Sequence, residues 1–119
     1  MINSRRCFVT GIKGVKLNKN EVSFLKKYKP WGIILFSRNI KTILQTQKLT
    51  SQIRNIFKDK DYPILIDEEG GKVSRLSKFI DSSIFTAEFF GNLYKKDKKK
   101  FNSYYEVYIK QISYLLNIL

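Results

Sequence analysis

Three consecutive carboxylates, Asp67, Glu68 and Glu69, follow the apolar run "PILI" directly, and Gly70, Gly71 and then Arg75 come after them. On extended backbone Asp67 and Glu69 point to one side and Glu68 to the other. The two glycines let the chain turn sharply and let a ligand or another backbone approach closely. Arg75 then folds back as a donor toward an anion or a hydroxyl-rich ligand. A plainer reading stands beside this one: acidic residues before Gly-Gly cap a strand and solvate a turn, with Glu69 paired to Arg75 inside the loop. A Mg²⁺ site from Asp67 and Glu69 is the third option. Two carboxylates in one loop are thin support for it, and no metal or cofactor is expected.

A second polar set, Ser37, Arg38 and Asn39, follows the apolar run "GIILF". In parallel α/β architectures functional residues collect where strands end and loops begin. Two such ends carrying polar groups are the main pointer to a site. The acidic cluster is not a bond-cleaving carboxyl pair of the glycosidase kind. That chemistry needs two groups on opposite sides of the scissile bond, roughly 5 to 9 Å apart, and neighbours in one loop cannot straddle a sugar. If the protein handles sugars, the cluster binds substrate and the catalysts lie elsewhere.

The elements that must position these residues read as an alternating series. "CFVTGI", Cys7 to Ile12, is a short strand. Asn18 is an N-cap, with Glu21 completing a capping box before the helix "VSFLKKY". Pro30 breaks that helix, and Trp31 to Ser37 reads as a strand buried on both faces. An amphipathic helix spans Lys41 to Phe57, with Ile43, Leu44, Ile53, Ile56 and Phe57 on its apolar stripe. "YPILID" is the next buried strand. Strand, helix, strand, helix, strand argues for βαβ units and a parallel sheet. A loop runs from Gly70 to Ser83, a short helix covers Thr86 to Tyr94, and "KKDKKK" is a solvated turn and helix start. In the final helix Phe101, Tyr104, Tyr105, Tyr108, Ile109, Ile112, Leu115, Leu116 and Leu119 form one apolar stripe that needs a sheet or a helix to cover it. The sequence stops at "YLLNIL" without a capping glycine, a closing proline or a polar tail, so the chain reads as cut rather than finished.

At 119 residues the chain is one domain or less. With 23 Lys plus Arg against 10 Asp plus Glu it carries a formal charge of +13. Such a balance raises nucleic acid or an anionic membrane as partner. The excess is nearly all lysine in a chain also rich in Ile, Asn, Phe and Tyr, which points to compositional bias and solvated lysines. Neither nucleic acid nor membrane is expected as a partner. Cys7 is the only cysteine, so an internal disulfide is impossible, and the absence of histidine removes the usual general base. "MINSRRCFVTGIKG" lacks the apolar run of a signal peptide, and a cytoplasmic protein is the default.

"WGIILFSRNI", the helix after it, and "PILIDEEGGKVSRL" followed by "FFG" resemble the N-terminal part of the family 3 glycoside hydrolases, specifically the bacterial cytoplasmic β-N-acetylhexosaminidases of peptidoglycan recycling. The likeness runs from about Gly11 to the end. It implies the first βα units of a TIM-type (β/α)8 barrel, so that residues 1–119 form a partial N-terminal barrel domain with its C-terminal units missing. It implies that Asp67 hydrogen-bonds hydroxyls of N-acetylglucosamine, that Arg75 belongs to the same substrate-binding site, and that Arg38, Asn39, Glu69, Gly70 and Gly71 support it. The implied partner is an N-acetylglucosamine-containing glycan or muropeptide, and the implied full-length enzyme is a monomer. Glu68 stands where many members have Gln, and Lys72 where many have Arg. The family's Lys-His-x-Pro-Gly-His segment and its later nucleophilic aspartate are not in these residues, so no catalytic residue is assigned. Open sheet edges and an uncovered helix face are expected to leave the isolated chain unstable or aggregation-prone. Two rival classes remain: a non-catalytic remnant or interaction module, and a basic nucleic-acid-binding domain, which the placement of the aromatics on an apolar stripe disfavours.

Overall fold

Two local caps decide where the first helices begin. Asn18 accepts from the Glu21 N–H at 2.9 Å while the Glu21 carboxylate accepts from the Asn18 N–H at 2.9 Å, so the capping box forms as read. Thr42 caps the second helix by accepting from the Gln45 N–H. The computed structural model describes residues 5–119; the first four residues of the stretch read above for a leader lie outside the described residues. The chain divides into two compact units, Met1–Asp67 and Glu68–Leu119.

In the first unit the elements are β1 (Arg6–Gly11), α1 (Lys19–Tyr28), β2 (Pro30–Leu35), a 3-10 turn (Ser37–Asn39), α2 (Ile43–Phe57) and β3 (Ile64–Ile66). The sheet order is β1-β2-β3 with both pairings parallel, and α1 and α2 are the crossovers. Val9 stands beside Gly32 and Ile33 beside Ile64. Lys29 and Lys58, both in the left-handed region, close α1 and α2. The core is Ile12, Leu25, Ile33, Leu35, Ile40, Leu49 and Ile53. Buried Tyr62 donates its hydroxyl to the Pro30 carbonyl at 2.8 Å and stacks on Phe57. Arg5 lies over the Tyr62 ring and pairs with Asp59.

Three expectations need correction here. β2 is not buried along its whole length: Gly32, Ile33 and Leu35 are, but Trp31 is 48% exposed. β3 is three residues long and half-exposed rather than buried, because it edges the sheet and pairs only with β2. On α2 the core face is Thr46, Leu49, Thr50 and Ile53, whereas Leu44 is 71% exposed. Leu44 precedes Thr46 by two residues and so lies on nearly the opposite side of the helix. The result is an α/β unit whose small parallel sheet has three strands among the described residues; a (β/α)8 barrel is not shown in it.

The second unit holds the loop after the glycines, α3 (Ala87–Lys96) and α4 (Lys98–Ile118). Thr86 caps α3 by accepting from the Phe89 N–H, and Asp97 caps α4 by accepting from the Lys100 N–H. The lysines of "KKDKKK" are exposed around that cap. Phe90 is buried against Phe85, Phe101, Tyr105 and Tyr108. The apolar stripe of α4 is only half covered: Phe101, Tyr108, Ile112 and Leu115 are half-buried, while Tyr104, Tyr105, Ile109 and Leu116 are exposed.

Candidate functional site

The polar groups after β2 serve the loop that follows β1. Asn39 is wholly buried. Its Oδ1 accepts from the Phe36 N–H at 2.9 Å, and its Nδ2 donates to the carbonyls of Ile12 at 3.1 Å and Gly14 at 2.8 Å. Arg38 donates from Nε to the same Ile12 carbonyl at 3.0 Å and lays its guanidinium over the Phe36 ring. Gln45 adds a third clasp, donating from Nε2 to the carbonyls of Val15 and Asn39. Arg38 and Asn39 thus hold two strand ends together by backbone contacts. Gln45 was missed from sequence; the Thr42-x-x-Gln45 spacing marks it as a helix-start residue but says nothing of Val15, 30 residues away.

After β3 the chain leaves the sheet with Asp67, which is exposed and closes the first unit. Burial alternates along the cluster as extended backbone requires, with Glu68 half-buried between exposed Asp67 and Glu69. Arg75 belongs to the second unit, where it is half-buried.

Within that second unit Glu68 organises the loop. Its Oε2 accepts from the N–H groups of Arg75 at 2.8 Å and Leu76 at 3.0 Å, and its Oε1 faces the Ser82 hydroxyl at 3.5 Å. A carboxylate holding two backbone donors makes charge-assisted bonds, stronger than neutral ones. These bonds fix the backbone from which Arg75 projects. The Glu69 N–H donates to the Val73 carbonyl at 2.9 Å, and Gly70 bridges Val73. Gly70 and Gly71 both adopt positive φ, 75° and 59°. A Cβ on Gly70 would lie 2.3 Å from the Phe85 carbonyl oxygen, so both the turn and a close backbone approach demand glycine there.

Beneath this loop Tyr108 is hydrogen-bonded with Ser82; burial first, and then the Glu68 charge and Tyr105, push its phenol above the usual tyrosine value. Tyr108 therefore stays a neutral hydroxyl. From sequence, Glu68 faces away from Asp67 and Tyr108 belongs to the apolar stripe of the last helix; neither contact is legible in those patterns. The available signal was chemical: a tight Gly-Gly loop leaves N–H groups in need of an acceptor, and Glu68 is next to it.

Among the described residues no three His, Cys, Asp or Glu side chains cluster to hold a metal ion. Among them, too, no helix is long and apolar enough to cross a membrane. The Glu68 carboxylate is committed to backbone donors, so what this loop offers is a shaped set of polar contacts rather than a proton shuttle.

No family model matches the chain. A β-hexosaminidase from Haemophilus influenzae is 39% identical over 64 residues, 54% of this chain and 18% of that protein. Native NagZ from Neisseria gonorrhoeae superposes with a TM-score of 0.63 at 30% identity, over 78% of this chain and 26% of its own. The same protein has been solved in complex with N-trifluoroacetyl-D-glucosamine (TM-score 0.54, 33% identity, 60% and 21% covered). A glycoside hydrolase family 3 β-N-acetylglucosaminidase from Paenibacillus sp. aligns with a TM-score of 0.55 at 28% identity, over 63% of this chain and 15% of its own. The chain thus spans between 15% and 26% of these relatives' lengths. In sequence and in fold it is similar to the N-terminal part of the β-N-acetylhexosaminidases of glycoside hydrolase family 3.

Proposed function

We propose that this chain supplies the sugar-gripping first βα units of a retaining β-N-acetylhexosaminidase with a TIM-type (β/α)8 barrel. The observation that carries the reading is the loop after β3, whose backbone is pinned by Glu68 and turned by two left-handed glycines. In barrels of this kind ligand contacts stand at the C-terminal ends of parallel strands. Asp67 is then the acceptor for hydroxyls of a terminal N-acetylglucosamine, and Arg75 a donor in the same site. Glu69, Gly70, Gly71, Arg38 and Asn39 support them. A site built of a carboxylate and a guanidinium discriminates strongly for a polyol that satisfies both.

The substrate of the complete enzyme is an N-acetylglucosamine-bearing glycan or muropeptide, and its place is the cytoplasmic recycling of peptidoglycan, as a monomer without cofactor. Support for the sugar alone comes from the relatives' names and from the complex of the gonococcal enzyme with an N-acylglucosamine analogue. Retaining chemistry needs a nucleophile and a separate group for the proton. These 119 residues hold no histidine, and their carboxylate cluster occupies a single loop. They alone therefore hydrolyse no p-nitrophenyl β-N-acetylglucosaminide. Turnover near that of a full-length relative would overturn this. Binding is tested by titrating N-acetylglucosamine into the chain and its Asp67→Ala variant; equal binding by both, or none by either, removes Asp67 from the site.

The half-covered stripe of α4 favours a second reading, an interaction module that docks on a polypeptide completing the barrel. Co-purification of the chain with such a polypeptide separates the two.

A further inference from the structure

Within the second unit, the packing of α3 against α4 leaves open a cleft of about 460 Å³. Six aromatic side chains line it, its charged lining residues are Glu68 and Glu69, and Lys98, outside the lining, holds its ammonium 5.1 Å from the Tyr94 ring centroid. In a chain of net charge +13 this is a local inversion of sign. The rings are not sealed into a core: Tyr105 is 41% exposed and Tyr94 46%. Phe90 meets Tyr105 at 80° and Tyr108 at 44°, while Phe85 stacks on Phe90 at 19° and Phe101 on Tyr105 at 16°.

Gly91 lies in the middle of α3, where glycine is a poor helix former, and it lines the cleft. Its φ is unremarkable, and a Cβ built there would meet nothing within 4 Å. The helix itself therefore does not require glycine at this position. A larger side chain would enter the cleft.

We propose that this cleft binds a small organic cation with an apolar body, an aryl- or alkylammonium, its charge toward Glu68 and Glu69 and its body on the rings of Phe90, Tyr105 and Tyr108. Cations are drawn to aromatic faces within about 6 Å of the ring centroid, and the acidic residues of the lining add to that pull. Anions are drawn to the chain as a whole but repelled here. Sugars are poorly served, since the lining offers acceptors and rings but no Lys or Arg donor. The inference does not depend on the hexosaminidase reading, and its readout contains no sugar.

The test is an NMR titration of the full chain with three probes of one shape and different charge: benzyltrimethylammonium, benzyl alcohol and benzoate. The expected result is saturable shifts of the Tyr105, Tyr108 and Phe90 ring signals by the cation, with benzyl alcohol about ten-fold weaker and benzoate weaker still. Gly91→Leu fills the cleft while improving helix propensity, so far-UV circular dichroism should hold and cation binding should fall at least about ten-fold. Glu69→Gln, at an exposed side chain, should weaken the cation and leave benzyl alcohol unchanged. Benzoate binding as well as the cation, unaltered cation binding in Gly91→Leu, or no saturable shift in a folded chain would each overturn the proposal.

Discussion

Replacing Asn39 by alanine tests whether the strand-end clasp holds the first unit together. The side chain is 0% exposed and makes three bonds, to Phe36 N–H, Ile12 C=O and Gly14 C=O. The Ile12 carbonyl keeps the Arg38 Nε–H as partner, so alanine deprives two backbone groups rather than three. A buried polar group left without its partner costs about 1 to 3 kcal/mol. Gly14 is half-buried and partly re-solvated, which places the sum at about 2 to 4 kcal/mol. Against a domain stability of about 5 to 15 kcal/mol that is a large fraction. Urea unfolding followed by circular dichroism should show a lower midpoint with an unchanged slope. Asn39→Asp sharpens the test. One oxygen still accepts from Phe36, but the other faces two carbonyls, and burial raises the carboxyl pKa above its unfolded value near 3.9. A raised folded-state pKa means the variant lies closest to wild type below about pH 4 and loses stability as pH rises through the folded value. A cost below about 0.5 kcal/mol for alanine, or an aspartate variant whose deficit is flat from pH 4 to 7, would refute the clasp.

Three further outcomes follow from the same geometry. Glu68→Ala should expose the Arg75 and Leu76 amides to rapid hydrogen exchange and cost about 1 to 3 kcal/mol in the second unit, while Glu68→Gln, which keeps an acceptor oxygen, should retain most of the protection. Gly70→Ala meets both a positive φ of 75° and the Phe85 carbonyl at 2.3 Å, and should destabilise that unit by more than about 3 kcal/mol; a loss under 1 kcal/mol by thermal melting would contradict the loop conformation. Burial pushes the Tyr62 phenol up to about 12, Arg5 opposing it. Stability linked to its neutral form is therefore complete below pH 10 and lost as pH rises from 10 through 12, by up to about 3 kcal/mol. Ultraviolet titration should find fewer tyrosines ionising near pH 10 in wild type than in a urea-unfolded control, and Tyr62→Phe should shrink that difference, Tyr108 supplying the remainder.

The features legible in the sequence are those written in neighbours. The Asn18 and Glu21 box is a signal spanning four residues, and β1, β2 and α2 are apolar patterns bounded by glycine, proline or a cap. Features set by distant partners were not legible. The exposure of Leu65 in β3 depends on which strand stands beside it, and that of Trp31 on what covers the face of β2. Asn39 follows a strand end, but two of its partners lie 25 and 27 residues earlier, in a loop whose path no local pattern records. The α4 stripe is visible in spacing alone, yet spacing cannot tell a covered face from an open one, and the structure divides it between the two.

Glu68 shows how a correct local inference can stop short. Alternation along extended backbone places it away from Asp67, and burial agrees. The turn at Gly70 and Gly71 brings the Arg75 and Leu76 N–H groups back to that carboxylate. An acceptor oxygen at this position is then required by the loop, whereas a negative charge is not. The Glu68 charge lies beside the aromatic cleft at Tyr108, where it adds to burial in raising the phenol's pKa and gives a strongly basic protein a negatively lined surface.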